Sequence, residues 1–84
     1  QTHDENLRQS IINSDYDFDV IEEASENIKN RIVYLFCLAE ECKGTEHEDM
    51  VNKLIDNAIS LSRFVSNAML VNSMRKVKGG VVYA

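Results

Sequence analysis

The 84-residue chain has no proline and no tryptophan, and only three glycines. Proline removes a backbone donor and glycine costs conformational entropy, so a long stretch without either favours uninterrupted helix. Two of the glycines, Gly79 and Gly80, are adjacent and follow a predicted helix instead of opening one, which excludes a glycine-rich phosphate loop. Positive charge is also scarce. Nine basic residues stand against fourteen acidic ones, for a net charge of −5. That balance disfavours broad nucleic-acid binding, where a basic surface must neutralise phosphates, and it disfavours an anionic membrane surface for the same reason.

Cysteine occurs twice, as Cys37 and Cys42. Five positions along a helix separate Cα atoms by roughly 8–9 Å, beyond the span of a disulfide. The two therefore read as small, buried or half-buried apolar residues in a reducing, cytoplasmic setting. No signal-peptide or membrane-spanning pattern is visible. The least charged stretch, Asn57 to Met74, carries a single charge at Arg63 but is interrupted by Ser60, Ser62, Ser66, Asn67, Asn72 and Ser73. So many polar groups are incompatible with a lipid-facing helix.

What is present organises into helices. Thr2 and Glu5 have the spacing of a capping box, and Leu7 and Ile11 lie one turn apart, so a short helix is expected over about 3–13. Asn13-Ser14-Asp15 reads as a turn, with Ser14, Asp15 or Asp17 as cap of the next helix. Asp17, Asp19, Glu22 and Glu23 crowd its positive dipole end. Ile21, Ala24, Ile28, Ile32, Leu35, Ala39 and Cys42 then recur at spacings of three and four, the seam of an amphipathic helix over about 15–43. Gly44 suits the left-handed stop, and Thr45 with Glu48 forms a second capping box opening a helix over about 46–78. Its seam is expected at Val51, Leu54, Ala58, Leu61, Val65 and Ala68. Stop and start adjoin, so the two long helices must run antiparallel. This orientation brings the basic end, Arg75, Lys76 and Lys78, towards the acidic segment from Asp15 to Glu26. Gly79 and Gly80 are expected to end this helix, and Val81 to Ala84 form a tail with no assigned element, open to fraying or to adding as a strand to a partner.

The fold class that follows is all-α: an antiparallel helical hairpin with a short N-terminal helix, a three-helix bundle per chain in a single domain spanning 1–84. Its apolar residues exceed one stripe per helix. Val33, Phe36 and Leu38 in the second helix, and Ile59, Phe64, Leu70, Val71 and Met74 in the third, fall outside the seams. A contiguous patch of that size is unusual on a monomer. Three things can cover it: the first helix through Leu7, Ile11 and Ile12, a second copy completing a larger bundle, or a foreign helix in a groove. Dimerisation is the expectation, with Val33, Phe36, Ile59, Phe64, Leu70, Val71 and Met74 as candidate interface.

Chemistry is weakly encoded. His47 stands among Glu46, Glu48 and Asp49, but consecutive helical residues diverge where a metal needs convergent ligands. No Glu-x-x-His pair of the di-iron type occurs. Cysteines embedded in an apolar helix, with the nearest histidine past a turn, are inert as nucleophiles. The expectation is a non-enzymatic protein-interaction module without metal or cofactor, a regulator or adaptor whose protein partner the residues do not identify. The alternative is a nucleic-acid-associated protein touching phosphates through Arg75, Lys76 and Lys78, a short cluster without interleaved aromatics.

Overall fold

The computed structural model describes the backbone of residues 3–80 and the side chains of 4–76. Three helices follow one another, α1 (His3–Asn13), α2 (Phe18–Cys42) and α3 (Glu48–Gly80), and no strand occurs among the described residues. Helices α2 and α3 pack side by side as the expected hairpin, and α1 packs against both. The result is a slab of 58 × 26 × 15 Å.

The first connection is a left-handed reversal. Asp15 and Tyr16 have φ of 56° and 63°. The Tyr16 N–H donates to the Ile11 carbonyl at 3.0 Å and the Asp15 N–H to that of Ile12 at 2.9 Å. These two bonds define a Schellman stop, with Asp15 at the position glycine usually fills. Tyr16 packs against the apolar cluster that contains Ile11. Ser14 reinforces the turn: its Oγ donates to the Ile11 carbonyl at 2.8 Å and accepts from the Asp17 N–H at 3.2 Å. The cap of α2 is Asp17, whose carboxylate accepts from the Val20 N–H at 3.2 Å. The helix therefore starts three residues later than the expected 15, because Asp15 is held in a conformation no helix contains.

The second connection is longer than the sequence implies. Gly44 does take the left-handed stop, at φ 79°. Thr45, however, uses its hydroxyl to donate back to the Cys42 carbonyl while accepting from the His47 N–H at 3.2 Å. It serves the end of α2 and the approach to α3 at once, so α3 begins at Glu48 and not Glu46, after a turn over 43–47. Glu48 still reaches back as a capping box requires, but to the Gly44 N–H at 3.4 Å. At the other end α3 runs through Gly80, two residues past the expected stop. Thr2, half of the first capping box, and the tail over 81–84 lie outside the described residues.

The core forms two clusters along the hairpin. One joins Ile11, Ile21, Ala24, Ile28, Leu61, Val65 and Ala68, with Leu7, Tyr16 and Phe64 packed against it. The other holds Leu35, Val51, Ile55 and Ala58 and draws on α2 and α3 alone. The α2 seam follows the sequence pattern. The α3 seam departs from it at one turn: Ile55 is buried, whereas Leu54 is 44% exposed. Both fit a spacing of three and four, and the choice falls to the residue facing α2, where Ile55 joins the cluster around Leu35. Cys37 is exposed and Cys42 half-buried, which corrects the expectation of two sheltered thiols. Cys37 follows Phe36 on the side of α2 away from the seam.

Candidate interaction surface

Helix α1 occupies one of the two grooves that a helical hairpin offers. Its first turn is tied to the middle of α2 by a partly buried ion pair, Arg31 to Asp4. Arg8 reaches α3, donating to Ser60 Oγ at 3.4 Å with its guanidinium 5.8 Å from the Phe64 ring centroid. Ile11 is fully buried beneath it. The apolar excess on this side is thereby partly absorbed. Phe64 and Val71, both expected at an interface, are half-buried within the chain, Phe64 by the α1 cluster.

Among the described residues no third helix covers the opposite groove. A depression of about 340 Å³ runs along it, floored by Ile28, Ile32, Val33, Val65 and Met69 and edged by Ser25, Ser62 and Ser66. Val33 is 60% exposed and Phe36 53%. Phe36 lines the next depression towards the loop, with Ala39, Glu40 and Lys43. Ile59, also exposed, lies one helical turn before Ser62 and two before Ser66, so it shares their face. Three of the seven expected interface residues, Val33, Phe36 and Ile59, are thus brought to one surface. Leu70 and Met74 are exposed as well, one turn apart and further along α3.

Beyond the end of α1 lies a set of exposed large side chains that the sequence pattern does not mark as a surface: Tyr34, Met50 and Leu54. Tyr34 is one turn beyond Arg31, and Leu54 and Met50 follow Ser60 towards the loop on the same flank. They lie past Asp4, beyond the first turn of α1, where no described residue covers them.

The basic end of α3 is engaged within the chain. Arg75 Nη1 donates to the Asp15 carboxylate at 2.9 Å and to the Asp15 carbonyl at 3.1 Å, and its guanidinium lies 5.2 Å from the Tyr16 ring centroid. Lys76 Nζ is 4.9 Å from the centre of the Phe18 ring. Asn72 Nδ2 donates to the Tyr16 carbonyl at 2.9 Å. The expected approach of basic end and acidic segment is present, and its residues serve the left-handed turn. The side chain of Lys78 lies outside the described residues.

His47 falls in the turn, its Nε2 3.6 Å from the Glu46 carboxylate. Among the described residues no three of histidine, cysteine, aspartate and glutamate converge. None of the described helices is long and apolar enough to cross a membrane. The arrangement defines an all-helical protein whose distinctive feature is an apolar face. Comparison with protein families, curated proteins and solved structures finds no match for the chain.

Proposed function

We propose that this chain is a small non-enzymatic interaction module that acts by binding protein through exposed helical faces and works as a homodimer. The observation that carries the reading is the joint exposure of Val33, Phe36 and Ile59 on the groove that α1 leaves bare. Each such side chain gains about 1.5–3 kcal/mol when fully buried, so covering the face is strongly favourable. An exposed and a half-buried free thiol fit a reducing, cytoplasmic setting. The nucleic-acid alternative is disfavoured, because Arg75 and Lys76 already have partners in the fold.

Sedimentation equilibrium tests the reading. The intact chain is expected to be a dimer and Val33→Asp a folded monomer of unchanged helix content. An intact chain that stays monomeric across the concentration range overturns the dimer. Salt-dependent retention on DNA that is lost on Lys76→Glu replaces the reading with the alternative.

A further inference from the structure

Resting on that reading, we infer that the occupant of the bare groove is a second copy of this chain, docked antiparallel along α2 in one register. On the flank of α2 that faces this groove, six residues recur at spacings of three, four, three, four and three: Glu26, Lys29, Val33, Phe36, Glu40 and Lys43. All six are exposed, Lys43 as the C-cap residue of the helix. A three-four alternation is the signature of a helix-to-helix seam, because it keeps one stripe facing a partner.

The order of charges along this stripe selects the partner. A two-fold axis midway between Tyr34 and Leu35 sets Val33 opposite Phe36 of the second copy. In the same register Lys29 meets Glu40 and Glu26 meets Lys43, each contact occurring twice by symmetry. Every charge on the stripe then faces its opposite, and the apolar pair sits at the centre. A parallel pairing does the reverse, stacking each lysine on its own copy and each glutamate likewise, which is unfavourable. Within one chain Lys29 Nζ stands 3.8 Å from Glu26, with both side chains about two-thirds exposed (69% and 68%). So loose a pair is free to be shared across the seam. On α3 the same groove is edged by Ser62 and Ser66 with Ile59 beside them, and these short side chains let a second helix approach closely.

The test is charge reversal in the full chain, followed by sedimentation equilibrium at low salt, with helix content checked by circular dichroism. Each residue is solvent-exposed, so the variants are expected to fold. Lys29→Glu alone is expected to weaken the dimer about tenfold, because the change is felt twice in a symmetric pair. Adding Glu40→Lys in the same chain restores the affinity. A chain carrying Lys29→Glu and Lys43→Glu, and one carrying Glu26→Lys and Glu40→Lys, are each expected to stay monomeric but to form a one-to-one heterodimer when mixed. The inference is overturned if the intact chain dimerises but Lys29→Glu has no effect, or if Glu40→Lys fails to rescue it. In either case the dimer of the preceding section stands with a different face or register. An intact chain that is monomeric overturns both.

Discussion

Backbone handedness at three residues determines how the chain turns. Asp15, Tyr16 and Gly44 all have φ near +60 to +80°, but only the last is glycine. For other residues this conformation costs roughly 1–2 kcal/mol, least for Asp and Asn. At Gly44 there is no steric obstacle to a side chain, since nothing lies within 4 Å of the point a Cβ would occupy. Gly44→Ala is therefore expected to destabilise by about 1 kcal/mol through the backbone alone, seen as a lower urea midpoint at constant slope. At position 15 the usual ranking of helix interiors should invert. Asp15→Gly relieves the backbone while losing an exposed ion pair, and Asp15→Ala loses the pair without relief. The glycine variant is expected to be the more stable of the two by about 1 kcal/mol. Gly44 is legible as a stop because glycine announces itself. The turn at Asn13-Ser14-Asp15 is legible as well, but its left-handed form at Asp15 and Tyr16 is not, because part of its support comes from Asn72 and Arg75, more than fifty positions away.

Helix periodicity specifies the elements well and their ends less well. The seam of α2 and five of the six expected positions in α3 are legible from spacing alone. Leu54 and Ile55 satisfy the same spacing, and choosing between them requires knowing how α3 is rotated against α2. Their burial differs, 44% exposed against 8%, and so should their energetics. Ile55→Ala is expected to cost about 2–4 kcal/mol and Leu54→Ala less than about 1 kcal/mol in denaturant unfolding. Equal costs would show that the seam has been assigned to the wrong turn of α3. The starts of α2 and α3 fall two or three residues past the positions that spacing suggests, for a related reason. Ser14 and Thr45 both bond backward, to the helix before them, as well as forward.

At the scale of the molecule, stability should be uneven along the hairpin. The cluster around Leu61 is built from three helices, and the one around Leu35 and Ile55 from two. Local opening follows the depth of packing. In monomeric Val33→Asp protein, amides over 32–42 and 48–58 are expected to exchange faster than those over 20–31 and 60–72. Dimerisation of the intact chain should slow the first group most, because the proposed seam is centred there. The excess of apolar residues is legible in the sequence, but its division between a covered and a bare side is not. Phe64 and Val33 look alike in a linear pattern, and only the path of α1 separates them.

That path has a geometric consequence. At 1.5 Å per residue, the eleven residues of α1 run about 16 Å beside an α2 of about 37 Å. Its first described turn lies at Arg31, so the described part of the strut runs beside less than half of the length of α2, with Tyr34, Met50 and Leu54 bordering the remainder. An amphipathic helix of two turns laid against this remainder, apolar on the side that Leu7 and Ile11 define, would reach the level of Leu38 and shelter those three side chains. Such a helix would stiffen the loop half of the molecule and leave the other groove as it is. Rigidity and the proposed self-recognition are thus assigned to opposite sides of the same pair of rods and can be altered one at a time.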